Sequence, residues 1–112
     1  MPGRPLRDEE LALILHLLDG TPSTTLRESL AGARVTDMND GGMGSIRFIR
    51  PEAHPIGELL AEAQYLDSDG VLVVIFLNDD KIGQLFELDL WKVDSSPLVC
   101  YPTPASLLPS KQ

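Results

Sequence analysis

Glu87 and Asp89 stand two residues apart in a run of alternating character, Leu85-Phe86-Glu87-Leu88-Asp89-Leu90-Trp91-Lys92-Val93-Asp94, which also carries the chain's single tryptophan. If that run is a β-strand, successive side chains emerge on opposite faces, so Glu87, Asp89 and Trp91 share one face and the two carboxylates lie about 6 to 7 Å apart. Such a pair has two chemical uses. It can divide into an acid and a base where unlike surroundings push the two pKa values apart, as in glycoside hydrolysis. It can also stay charged and select a cationic partner beside an aromatic anchor. Two acids on one strand recur by chance, so the expected function is a non-catalytic protein-binding module. Glu87, Asp89, Trp91, Lys92 and Asp94 would contact the partner, with the loop acids Asp37 and Asp40 beside them. The alternative is a small enzyme or ligand-binding protein that uses Glu87 and Asp89.

The element that must position these groups is a hairpin. Val71 to Leu77 is β-branched and aromatic-rich and too short for a buried helix, which predicts a central strand covered on both faces. Asn78 to Gly83 supplies turn formers, with Gly83 free to take positive φ. Pairing Leu77 with Gln84 sets Val73 opposite Leu88 and Ile75 opposite Phe86 on a core face, and Val74 opposite Glu87 and Phe76 opposite Leu85 on the other.

Upstream, Asp8-Glu9-Glu10 precedes Leu11, Ile14, Leu15 and Leu18 at helical spacing, with Asp8 as N-cap and Gly20 as the stop. A second short helix is predicted from Thr21-Pro22-Ser23 through Leu26, Arg27 and Leu30 to Gly32. Ala33 to Met38 and Ser45 to Ile49 read as strands around a glycine-rich reversal, and Gly57 to Leu66 as a strand turning at Asp67-Ser68-Asp69-Gly70. Leu98 to Tyr101 is expected to add a short edge segment, and residues 102–112 to form a flexible tail after a single domain over 1–101. The predicted class is α+β, with two N-terminal helices on one face of a four- to five-stranded, mainly antiparallel sheet. Two helices cover only one face, so the expectation for the other is a protein partner or a second copy of the chain in a homodimer.

Composition narrows the chemistry. The chain has 112 residues, 43% hydrophobic and 23% charged, enough for one core. The net charge of −8, spread over both halves, disfavours nucleic acid and anionic membranes and favours a basic partner. Cys100 is the single cysteine, so no internal disulfide and no thiolate zinc site are possible, and His16 and His54 carry no signature linking them to it. The glycines after Asp40 lack the Gly-Lys-Ser/Thr ending of a phosphate loop, and Phe48 stands where a calcium loop needs its last carboxylate. No cofactor and no metal are therefore expected. Without a membrane-length apolar run or a signal-like start, the expected compartment is the cytoplasm.

The segment Leu-Phe-Glu-Leu-Asp-x-Trp-Lys-x-Asp, here Leu85 to Asp94, resembles that of a small uncharacterised bacterial family of about this length. Further resemblance lies in Asp37-Met38-x-Asp40-Gly41-Gly42-Met43-Gly44-Ser45, Asp69-Gly70-Val71, Leu77-Asn78-x-Asp80 and Ser96-Pro97-Leu98, so it spans most of residues 4 to 98. The resemblance implies no enzymatic activity. It is similar in character to small acidic proteins of toxin-immunity inventories, which implies an immunity-like role by analogy alone. Ser95 departs from the pattern, where relatives are expected to carry an aromatic residue.

Overall fold

In the computed structural model, which describes residues 3–21, 24–52 and 54–109, six antiparallel strands form one sheet. Two short helices complete the fold: α1 (Asp8–Leu17), continued by a 3-10 turn at Leu18–Gly20, and α2 (Thr24–Glu28). The strands are β1 (Arg4–Pro5), β2 (Arg34–Asp37), β3 (Ile46–Phe48), β4 (Ile56–Leu66), β5 (Leu72–Asp80) and β6 (Leu85–Lys92), in the spatial order β1-β2-β3-β6-β5-β4. The α+β class and the antiparallel sheet agree with expectation. The strand count is six rather than four or five, and β3 pairs with β6, joining the β2–β3 hairpin to the β4–β5–β6 meander.

The apolar stripe of α1 is rotated from the expected one. Leu13, Ile14, Leu17 and Leu18 are buried and Leu15 is exposed, so the inward row is Glu10-Leu13-Ile14-Leu17 at helical spacing. Glu10 can head that row because Arg4 meets both of its carboxylate oxygens at 2.9 Å. Its carboxylate also accepts the Arg7 N–H at 2.8 Å, half of a capping box, with Arg7 rather than Asp8 at the N-cap. α2 is only five residues long; Arg27 ties it back by donating to the carbonyls of Leu18 and Thr21. The expected helix start at Pro22 and Ser23, and the last residues of the expected tail, 110–112, lie outside the described residues.

The β5–β6 hairpin has the expected phase and a different register. Val73 pairs with Lys92, Ile75 with Leu90, Leu77 with Leu88 and Phe76 with Asp89. The slip of four residues arises because Asp80 opens the turn, its carboxylate accepting the N–H groups of Ile82 at 3.0 Å and Gln84 at 2.9 Å. Gly83 takes φ +84 as the turn requires. An even slip preserves the faces. A bulge then intervenes: Asn78 pairs with Glu87 but Asp79 with Leu85, leaving Phe86 as the extra residue. Leu85, not Phe86, therefore enters the core, and Phe86 lies under the Arg47 guanidinium, 5.0 Å from its ring centroid.

The core lies between the helices and one face of the sheet, where Val35, Ile46, Tyr65, Val73, Ile75, Leu77, Leu88 and Leu90 form one buried cluster with Leu13, Ile14, Leu17 and Leu18. Leu98 to Tyr101 is not a strand; this stretch crosses the same face, and Leu98, Tyr101 and Leu107 pack on the core. A 3-10 turn at Pro104–Ser106 rests on α1, and the Leu108 N–H reaches the Gln64 carbonyl of β4 at 2.8 Å. Packing therefore continues past residue 101 to Leu107. Among the described residues no helix is long and apolar enough to cross a membrane.

Candidate functional site

Alternation along β6 divides its residues between the two sides of the sheet. Leu88, Leu90 and Lys92 face the core, whereas Glu87, Asp89 and Trp91 face outward, as expected. Cross-strand pairs extend the outer face into rows: Leu66 with Leu72, which the Val93 N–H joins by a bond to the Leu72 carbonyl; Gln64, Val74 and Trp91; Glu62, Phe76 and Asp89. The first two rows gather an apolar corner. Trp91 is 46% exposed, Leu66 56% and Val93 42%, with Val74 beneath them. These exposed apolar side chains are gathered at one corner of the sheet rather than scattered singly.

The outward carboxylates are tied to β3. Glu87 meets Arg47 at 3.1 Å across the β3–β6 ladder, and Asp89 accepts the Ser45 hydroxyl at 2.8 Å. The same Ser45 oxygen accepts the Leu90 N–H at 2.8 Å. Glu87 is largely buried and Asp89 partly so. Both acids thus fasten the hairpin to its neighbour and border the apolar corner, a geometry different from two carboxylates flanking a cleft.

The other expected contact residues lie elsewhere. Lys92 is 0% exposed, on the core side, where its ammonium donates to Asp67 at 2.8 Å, Asp69 at 2.6 Å and the Pro97 carbonyl at 3.1 Å. All three ammonium donors are thereby used. Asp67 is as fully engaged: besides Lys92 it accepts the N–H groups of Ser68, Val99 and Cys100 at 2.7, 2.8 and 2.9 Å. Burial opposes its charge, yet these donors together hold its carboxyl well below the usual carboxylate range. Burial likewise opposes the Lys92 charge, and its bonds to Asp67 and Asp69 outweigh that and raise its pKa. The Tyr65 hydroxyl, driven up by burial, donates to the Cys100 carbonyl at 2.8 Å. Lys92 is therefore a clamp on residues 97–100 and does not reach a surface partner in this structure.

Asp37 sits at the β1–β2 end, on the face that Ile46 shares, where Arg4 bridges it to Glu10. The Arg4 hydrogen bond holds its carboxyl below the ordinary value. Asp40 organises the glycine loop, accepting the Met43 and Ser45 N–H groups at 3.1 and 3.0 Å. Asp94 accepts the Ser96 hydroxyl and N–H, which lowers its pKa and forms a tight exit from β6 with Ser95 at φ +64. Of the seven expected residues, the structure gathers Glu87, Asp89 and Trp91 on one face. Among the described residues, no group of three or more His, Cys, Asp or Glu side chains is placed to hold a metal ion.

Sequence reasoning missed Leu66, Val93 and the clamp. The signal for Lys92 was present, since it is in phase with Leu88 and Leu90, and the turn acids Asp67 and Asp69 stand near that end of the meander. The separate segments of the resemblance converge here. Lys92 joins Asp69 and Pro97; the Gly42 carbonyl accepts the Leu98 N–H at 3.1 Å; and a Cβ on Gly44 would stand 3.2 Å from Leu98. Much of that pattern thus encodes one packed corner of the fold. No curated protein and no solved structure matches the chain. The model of a family described as a domain of unknown function, DUF6984, matches residues 3–102, and the chain belongs to that family.

Proposed function

We propose that this chain is a non-catalytic protein-binding module of the cytoplasm, immunity-like in mode, whose outer sheet face takes up a partner of basic character. The observation that carries this reading is the exposure of Trp91 in an apolar corner with Leu66 and Val93. A tryptophan seated on a central strand loses little freedom on binding and contributes a large apolar area, the properties of an interface anchor. Asp89 and Glu62 in the adjoining row, and the net charge of −8, favour a cationic surface opposite. The binding reading is preferred to the enzyme because Glu87 is matched by Arg47 and Asp89 by Ser45.

Affinity capture from the native host with the wild type and Trp91→Ala tests the reading. A partner retained by the wild type and lost by Trp91→Ala supports it; partners unaffected by the change contradict it. Light scattering after size-exclusion chromatography identifies the competing occupant. A wild-type dimer that Trp91→Ala returns to monomer would assign the face to a second copy of the chain.

A further inference from the structure

The sheet ends at β4, whose long outer edge has no strand beside it among the described residues. The Asp67 N–H bonds the Val71 carbonyl, and Val93 bonds Leu72, which fixes the alternation along the regular stretch of β4 from Ala61 to Leu66: odd-numbered residues there bond to β5 and even-numbered ones turn their N–H and C=O outward. The outward carbonyl of Gln64 confirms this, because it receives the Leu108 N–H from the C-terminal segment. The chain has thus placed one rung on its own edge. Glu62, the next outward residue, presents its backbone groups to the space beyond.

That space is a groove of about 620 Å³ lined by Ala61, Glu62, Ala63 and Gln64 on one side and by His16, Leu17 and Leu107 to Pro109 on the others. The small side chains of Ala61 and Ala63 make it deep on the core side, where an added strand would direct every second residue. Natural edges are protected by lysine, proline or bulges. β4 has its register shifts between Ile56 and Ala61, and the regular stretch from Ala61 to Leu66 contains neither lysine nor proline. The exposed charge of that stretch, Glu62, is acidic.

We infer that this groove binds an extended cationic peptide segment of a protein partner by β-strand addition, continuing at Glu62 the ladder that Leu108 begins at Gln64. The backbone of Glu62 supplies main-chain hydrogen bonds, its carboxylate meets a lysine or arginine, and an apolar residue of the peptide enters the trench over Ala61 and Ala63. A second copy of this chain is the less suitable occupant, because antiparallel self-pairing centred on Glu62, the free outward residue, would set that carboxylate against its own copy.

The probe is a displayed library of short random linear peptides selected on the full chain. The expected binders carry Lys or Arg at alternate positions. They lose about tenfold or more in affinity with Glu62→Pro, which removes an outward N–H while sparing the β5 ladder, and also when their own alternate amides are N-methylated. Glu62→Lys, which keeps the backbone, weakens the same binders, whereas Trp91→Ala leaves them unchanged and so separates this inference from the outer-face reading. An empty selection, binders indifferent to both Glu62 variants, binders that tolerate N-methylation, or a wild-type dimer dissolved by Glu62→Pro would each overturn it.

Discussion

Trp91 and Lys92 are neighbours on β6 and point to opposite sides of the sheet, and their surroundings differ in kind. At Lys92 the buried charges are matched: the ammonium has Asp67, Asp69 and the Pro97 carbonyl, and Asp67 has three backbone N–H groups besides. Trp91 stands half exposed over the buried Val74, with the exposed apolar side chains of Leu66 and Val93 nearby. A buried charge pair persists only when its partners are complete, whereas an exposed indole costs the fold little and offers much to a partner. The core side of the strand at Lys92 therefore maintains the structure, and the outer side at Trp91 is where we propose that recognition occurs.

The comparison breaks most visibly at Lys92. Lys92→Met strands the Asp67 carboxylate in the core and frees residues 97–100, so thermal unfolding of the variant should begin on the order of 10 °C or more below the wild type. An unchanged midpoint would mean that the clamp is not closed in solution. Acid titration sharpens the same point. Because the folded pKa of Asp67 lies below its unfolded value, its contribution is fully present above about pH 4 and is lost as pH falls through the folded value. Lys92, whose pKa is raised, has the opposite sign: its contribution holds below about pH 10 and is lost as pH rises through the folded value. Denaturant midpoints measured across pH should fall at both extremes for the wild type, and the acid arm should flatten in Asp67→Asn.

Tyr65→Phe removes one bond from the same corner, that to the Cys100 carbonyl. Urea unfolding should report a loss of about 1 kcal/mol, the ordinary worth of a hydrogen bond. Trp91→Ser has the smallest expected effect on stability, within about 0.5 kcal/mol as for a surface position. Were it to destabilise as Lys92→Met does, the indole would be core and the contrast between the two sides would fail.

The phase of β6 was legible because Leu88 and Leu90 alternate with Glu87, Asp89 and Trp91, and no helix satisfies that period. The register was not, because Asn78 and Asp80 are both good turn formers, and only the bonds from Ile82 and Gln84 to Asp80 choose between them. The bulge at Phe86 leaves no mark in residue type, since Leu85 and Phe86 suit the core equally. β1 is a two-residue pairing held by Val35 and Arg34, too short to show a pattern. Of the site, the three outward β6 residues were readable from alternation. Leu66 and Val93 required knowledge of which rows of β4 and β5 stand beside Trp91, which only the β4–β5 and β5–β6 registers supply. Asp37 and Asp40 were chosen for charge, and their partners, Arg4 and the loop backbone, are fixed by tertiary structure.

The lone tryptophan makes the central claim directly measurable, because all tryptophan emission reports on one site. Acrylamide quenching of the folded chain over a range of protein concentrations should approach that of the unfolded chain, with red-shifted emission that does not change on dilution. Shielded, blue-shifted emission at every concentration would place the indole in the interior, and shielding that disappears on dilution would give the face to a second copy, either of which contradicts an outer face open to a foreign partner.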